Sequence, residues 1–450
     1  MSQRLFFSDL DPDIIFSIFA CCDISRVVST GQTCRYLHTL AFDRSVWRGL
    51  LLDLRRRSIL DQNYVPNLET LPTDEMIVAV QRLLTGPHTW SWSKLDFDAV
   101  PEVSRKITLH RAIIPADFRS SSAKLLPSGR YVLWNNSTGL ECWGVAENRL
   151  IWKDASVVND WVQDYTADDP DANSLIIMIC SRSHADLLIR MEIVSVDVQT
   201  GTHNRVFKLV SRITRSDQDV FKHAVIRGPI AAVCVQHSRC IIVDWRAQLY
   251  VVLKCQHSVS VALVSRYIIV KTAERLKFDG KSQIQLISYD TLHGYWTPML
   301  ETGAIVEFSP LLLEDVPTLS ALDTTDVDQY FDDMDVYESP VQEGEYRVWI
   351  YGDAALVSYR LSIPTNGEPR WCQRSPSVDT GHNLWFSTTY SGHTLIDRER
   401  LTVFSATSVT ESTEMELPEL ETWDLHLAAY SGALTYLDHT NSSVVIEYYR

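Results

Sequence analysis

The hydrophobic period of this chain changes once, near residue 90, and that change limits it to two kinds of domain in series. Before it, apolar residues recur at helical steps: Ile14, Ile15, Ile18 and Phe19, then Val27 and Val28, then Leu37 and Leu40, then Val46, Trp47, Leu50, Leu51 and Leu54. After it they alternate in short runs divided by Gly, Asn and Asp, the pattern of strands. Asp11 is a good N-cap, Pro12 suits a first helical turn, and Asp13 sits where the helix dipole favours an acid. Ser45 is a candidate cap for the fourth stretch. Helices this short are marginal alone, so they must pack on each other or on a partner. A further helix is expected over Asp74 to Leu84, capped by Thr73 and stopped by Gly86-Pro87, packing between the two regions and setting their angle. Arg55-Arg56-Arg57 reads as a solvated helix end, too short to claim as a nuclear-import patch.

The 450 residues are too many for one compact core, and 45% apolar content with 13 Trp and 18 Tyr supports a folded interior. A net charge of −16 without a basic stripe argues against a nucleic-acid partner. Met1 to Phe7 meets Asp9 and Asp11 too soon to build a signal-peptide core, and the apolar run Cys240 to Cys255 is interrupted by Asp244, Arg246 and Lys254. No membrane partner is therefore expected. Nine scattered Cys are read as reduced thiols, which places the chain in the cytoplasm or nucleus.

The β region has a repeating grammar. Arg130–Trp134 with Leu140–Val145, Ile193–Val198 with Val206–Val210, Ala231–Val235 with Cys240–Asp244 and Tyr250–Leu253, Tyr267–Lys271 with Ile284–Tyr289, and Tyr346–Tyr351 with Ala355–Leu361 all read as paired strands. Tyr390-Ser391-Gly392 recurs as Tyr430-Ser431-Gly432 at a spacing that matches a propeller blade of ~40–45 residues. The expected fold is α+β multidomain: a short helical unit, then a large all-β domain, a β-propeller of six to eight blades or alternatively a β-sandwich. The expected divisions are residues 1–57, a linker over 58–89 carrying one helix, and 90–450, with an acidic loop at about 320–345.

Leu10-Asp11-Pro12-Asp13-Ile14-Ile15, Ile18-Phe19, Asp23-Ile24, Thr33-Cys34-Arg35-Tyr36-Leu37 and Asp43-Arg44-Ser45-Val46-Trp47 form an ordered series that resembles an F-box. Asp11 stands between the Leu and Pro that open the family pattern, and Ser29-Thr30-Gly31 is more polar than the usual second helix. The resemblance implies docking on the Skp adaptor of a Skp–cullin–F-box ubiquitin ligase. It implies adaptor contacts from Leu10, Pro12, Ile14, Ile15, Ile18, Phe19, Val27, Val28, Leu37 and Trp47. Charges at Ile15 and Ile18 are then expected to abolish adaptor binding and leave the β domain folded. Leu126-Pro127-Ser128-Gly129-Arg130-Tyr131, followed by Cys142-Trp143 and Leu150-Ile151-Trp152, resembles the opening blade of divergent WD-like domains in fungal F-box proteins, although the usual Gly-His and Trp-Asp signatures are missing. The implied function is a substrate receptor without catalysis; the alternative is a propeller scaffold or ligand-binding protein with a structural helical cap.

No Lys or Arg occurs between Lys281 and Arg347, and Asp323, Asp326, Asp328, Asp332, Asp333 and Asp335 make a strongly acidic run. It reads as a solvated loop, or as a docking arm for a basic target. Cys234-x-x-His237-x-x-Cys240 with Cys255 has metal-like spacing, but these Cys read more simply as small core residues, and no metal or cofactor is expected. Phosphate loops, nucleophile elbows and metalloprotease helices are missing, and the pairs Asp168-Asp169 and Asp332-Asp333 read as loop acids with nothing to raise their pKa.

Overall fold

The computed structural model describes residues 7 and 10–90, and from 101 onward all but 111–121, 137–138, 155–159, 172, 184–186, 213–220, 236–237, 257, 274–281, 300–304, 324–330, 353–354, 366, 375–377, 380–385, 399, 406–411, 415–424 and 439–440. Five helices come first: α1 (Pro12–Phe19), α2 (Ile24–Gly31), α3 (Arg35–Ala41), α4 (Arg44–Arg56) and α5 (Thr73–Thr85). Asp11, Asp23 and Asp43 cap α1, α2 and α4 by accepting from the backbone N–H of Asp13, Arg26 and Ser45. The cap of α4 is thus Asp43 rather than Ser45, whose hydroxyl bonds the same carboxylate. Thr73 lies inside α5; Pro72 precedes it, and Asp74 and Glu75 favour the positive end of its dipole. One apolar core runs from Ile15, Phe19 and Val27 through Trp47 and Leu54 to Met76 and Leu83, so α5 belongs to the same packed unit as the short helices.

Seven separate sheets follow among the described residues, each built on antiparallel strands, with short parallel additions at the edges of two. Blade 1 is Ser122–Leu125, Tyr131–Asn136, Gly139–Gly144 and Arg149–Lys153. Blade 2 is Asp160–Asp168, Ser174–Ser183, Leu188–Asp197 and His203–Arg212. Blade 3 is Phe221–Arg227, Ile230–Val235, Arg239–Asp244 and Leu249–Lys254. Blade 4 is Ser258–Val264, Tyr267–Ala273, Ser282–Ser288 and Ser320–Asp323. Blade 5 is Phe331–Glu338, Glu345–Gly352, Ala355–Ser362 and Arg370–Arg374, and blade 6 is Phe386–Thr388, His393–Arg398, Arg400–Ser405 and Ser412–Glu414. Blade 7 takes His426–Leu427, Leu434–Asp438 and Ser443–Tyr449 from the C-terminal end and its outermost strand, Val103–His110, from before blade 1. That shared blade ties the ring shut, which a two-sheet sandwich has no means to do. The first strand of each blade lies innermost, and the apolar clusters fill the gaps between neighbouring sheets.

The acidic stretch is not a loop over its described part. Ser320–Asp323 is the outer strand of blade 4 and Phe331–Glu338 the inner strand of blade 5. Met334, buried, and Val336 alternate with Asp333 and Asp335, a period of two that the run of acids obscures in the sequence. Asp326 and Asp328 lie outside the described residues, as do the side chains of Asp323 and Asp332. Between the third and fourth strands of blade 4 the chain runs outward. Ile305–Val306 adds to the edge of blade 2, and Thr297–Pro298 and Leu311–Leu312 add to that of blade 3, covering strand edges that would otherwise be open.

Candidate adaptor surface and central channel

All inner strands run the same way, so the turn that leaves each inner strand lies at one end of the ring. The helical unit sits on that end. Gln62 N–H donates to Ser128 O at 2.9 Å in blade 1, and the Ser58 hydroxyl donates to Asp169 in blade 2. Ser25 N–H donates to Val341 O at 2.9 Å in blade 5. The Asp61 carboxylate, almost fully buried, accepts from Tyr448 O–H of blade 7 at 2.9 Å and from Asn63 N–H at 2.7 Å. Arg82, stacked over the Tyr64 ring, donates to Tyr449 O, and Trp90 packs against the Tyr449 ring.

The recurring Ser-Gly turns are the seat of this contact. Ser128-Gly129, Ser391-Gly392 and Ser431-Gly432 occupy the same turn in blades 1, 6 and 7, each with its Gly at positive φ. A Cβ on Gly129 would stand 1.8 Å from the Asp61 carboxylate oxygen, and one on Gly432 would press on Pro87 and Trp90. In the sequence the repeat shows blade spacing; the fold uses the same turns to receive the linker.

Arg55-Arg56-Arg57 is likewise built in rather than fully solvated. Arg55 donates to Val65 O, and only Arg56 stays well exposed, beside Asp53. Arg57 reaches Glu338 of blade 5 at 2.7 Å and Ser339 O at 3.0 Å. The other oxygen of Glu338 holds Arg227 of blade 3 at 2.5 Å.

Of the ten residues implied as adaptor contacts, Ile15, Phe19, Val27, Leu37 and Trp47 are buried in the helical core. Pro12 and Ile14 are exposed, Ile14 to 50%, and Leu10, Ile18 and Val28 are half-buried. A charge at Ile15 would therefore strike the helical core, and of the Ile15 and Ile18 pair only Ile18 keeps surface for a partner. Tyr36 and Leu52, which the motif reading did not single out for contact, are also exposed.

The F-box-like family model matches residues 7–53. Residues 7–53 are an F-box-like domain. In this F-box-like domain α1 to α4 carry the motif, and the buried half of the motif is the packing that holds the exposed half in place. No curated protein matches the chain in sequence. Among solved structures the chain is similar to the β-propeller domain of Myceliophteria thermophila Cps50 (Swd1), at 9% identity and TM-score 0.48 over 76% of this chain and 99% of that one. It is also similar to Chaetomium thermophilum Raptor, at 8% identity and TM-score 0.46 over 97% of this chain and 40% of that one. A third likeness, to BamB from Moraxella catarrhalis, has 11% identity and TM-score 0.39 over 78% of this chain and 100% of that one. The chain's own seven sheets and shared closing blade define the propeller that follows the F-box-like domain.

Down the axis of the ring runs a channel with a cavity of ≈ 830 Å³, and the end of α4 overhangs one mouth. Asp168, expected in a polar loop, ends the inner strand of blade 2; burial raises its pKa although Gly228 N–H donates to it. Asp169 is buried against Arg130 and Ser58. Asp333 pairs with His223 at 2.6 Å; burial opposes its charge, but the imidazole holds the carboxyl below its ordinary value. Asp335 is half-buried, its pKa raised by desolvation, and it accepts from Thr388 at 2.7 Å. Asp335 lines the channel, whereas the Asp333 side chain keeps 38% of its surface exposed.

Cys234 and Cys240 face each other in register in blade 3, with Cys255 beside them. Burial raises the thiol pKa of Cys234 and lifts that of Cys255 to about 12, and all three residues pack as small apolar side chains. His237 and His257 lie outside the described residues. Among the described residues no helix is long and apolar enough to cross a membrane, and no set of His, Cys, Asp and Glu is grouped as metal ligands.

Proposed function

We propose that this chain is the substrate-recognition subunit of a Skp–cullin–F-box ubiquitin ligase, working in the cytoplasm or nucleus as an adaptor without catalysis of its own. The observation that carries this is the F-box-like domain with Pro12 and Ile14 turned outward from a closed helical core. A purely structural cap has no need to keep an isoleucine half exposed on the helix whose motif defines the family. The rest of the unit does behave as a cap, since it is bonded to blades 1, 2, 5 and 7. The two roles are compatible: a fixed seat holds the adaptor at a defined angle to whatever the propeller binds.

Such a receptor works by effective concentration, because holding target and ligase together makes transfer nearly intramolecular. The Skp adaptor, and through it a cullin, binds at the helical end of the ring. A target protein binds at the opposite end, where the helices leave the blades uncovered. The test is co-purification of the full chain with a Skp adaptor, read by size-exclusion chromatography with light scattering. A one-to-one complex is expected. Two separate species at micromolar concentration would instead favour the scaffold reading. Removing residues 1–60 is a poor control, because it strips Ile59 and Leu60 from the core and exposes the seat on the blades.

A further inference from the structure

Three inner strands around the channel carry a β-bulge, and each bulge presents a charged side chain. The ladder of blade 2 slips between Val162 and Asp164, that of blade 3 between Lys222 and Val225, and that of blade 5 between Phe331 and Asp333. His223, inside the second bulge, has φ of 58°, a backbone state that costs a residue with a Cβ roughly 1–3 kcal/mol. Bulges re-aim side chains and gather beside functional sites. Here His223 meets Asp333, and the neighbouring Ala224 N–H meets Asp164, which also holds Lys124.

Lys124, His223 and Arg227 each lie in an ion pair, while Asp168 and Asp335 instead accept from Gly228 N–H and the Thr388 hydroxyl. Lys124 Nζ lies 3.1 Å from Asp164, whose other oxygen accepts from Ala224 N–H at 2.8 Å. His223 meets Asp333, and four residues further along the same strand Arg227 meets Glu338, so two rungs join blades 3 and 5. Both rungs pass in front of the inner strand of blade 4, which gives the channel only Val261, Ala262 and Leu263. Tyr165, Tyr337, Tyr351 and Tyr430 line the same wall, with the hydroxyls of Tyr165, Tyr337 and Tyr430 bonded to Ser122, Thr388 and Glu338. The cavity falls within the ~300–1,000 Å³ of small-molecule sites, and its wall is more polar than apolar, which suits a ligand rich in hydroxyls.

We infer that this channel is a binding site for a small uncharged polyhydroxy compound, a polyol or sugar, anchored at the level of the three bulges. Charge balance selects the class. A charged ligand would have to compete with one of these ion pairs and leave its partly desolvated partner unmatched, which is costly. A hydroxyl both donates and accepts, so it joins a Lys–Asp or His–Asp pair without disturbing it. Tyrosine faces suit the C–H faces of such a ring. The site stands independently of the adaptor reading.

The test titrates myo-inositol, glucose and sucrose into the full chain by calorimetry, with sodium glutamate and inorganic phosphate as charged probes. A saturable heat is expected with at least one of the neutral compounds and with neither charged one. Thermal shifts alone are insufficient, because sugars stabilise any fold by exclusion from its surface. Two variants therefore accompany the titration: Asp335→Leu, which puts an apolar side chain where a lining carboxyl stands, and His223→Asn, which tolerates the positive φ but removes the imidazole. Both should keep a cooperative melt and lose the heat. Saturable binding of glutamate or phosphate, undiminished binding in both variants, or no heat from any of the three neutral compounds would overturn the assignment.

Discussion

Aspartate placed at Ile14 and at Ile15, neighbours in α1, should have opposite consequences. Ile14 is 50% exposed and its substitution costs the free protein within about 0.5 kcal/mol. It is the third residue of α1, where the helix dipole favours a carboxylate, so the helix itself does not suffer. In an apolar adaptor groove the effect is large. Full burial of an isoleucine contributes roughly 1.5–3 kcal/mol, and half of that surface is still available to a partner, so about 1 kcal/mol is lost. The aspartate must also enter the groove neutral, and protonating it at pH 7 against a pKa of ~3.9 costs about 4 kcal/mol. The sum, about 5 kcal/mol, weakens adaptor binding by three to four orders of magnitude. Ile15 is fully buried beside Phe19 and Val27. Its truncation alone costs about 2–5 kcal/mol, and the same ~4 kcal/mol of neutralisation is added, which rivals the ~5–15 kcal/mol of an entire domain. Calorimetric titration with the adaptor and a circular-dichroism melt separate the two. I14D should melt like the wild type and fail to bind; I15D should lose the helical transition. Wild-type affinity in I14D would refute the outward-facing surface, and a wild-type melt in I15D would refute the burial argument.

The other predictions concern how the helices are seated. Arg57→Ala leaves Glu338 with Arg227 alone, and because the pair is only partly buried the loss should be about 1–3 kcal/mol; a double-mutant cycle with Glu338→Gln should show coupling, and additive losses would contradict the bridge. Gly129→Ala forces a Cβ into Asp61 at positive φ and should cost about 2–4 kcal/mol in denaturant unfolding, whereas Gly49→Ala, with open space around it, should cost nothing. Asp61 is raised by burial from 3.8 to about 6. Between those values the folded state keeps a proton that the unfolded state has released, so its contribution to stability is greatest below about pH 4, falls by about 3 kcal/mol as pH rises to about 6, and is flat above. Asp61→Asn should remove that slope from the difference between the two stability–pH curves, and parallel curves would show that Asp61 titrates normally.

The sequence by itself determined the order and kind of the domains. Period in the hydrophobic pattern is local, so Ile14 to Leu54 announced helices, and Arg130–Trp134 with Leu140–Val145 announced a hairpin, whatever they later packed against. The F-box series was legible because its residues lie within one short segment, and the Tyr-Ser-Gly repeat gave the blade spacing for the same reason. Which face of a short helix is core was not legible. Ile14 and Ile15 are equally apolar, and only the packing of α1 against α2 and α3 turned one inward and left the other out. The channel was hidden for a stronger reason. Asp164, His223 and Asp333 stand far apart along the chain, and the closure of the ring, together with a bulge in each strand, brings them to one place. Charge patterning treated Asp333 and Asp335 as solvent-seeking because a sequence carries no partners. The tertiary structure supplied His223 and Thr388, and with partners at hydrogen-bonding distance a carboxylate can be partly desolvated.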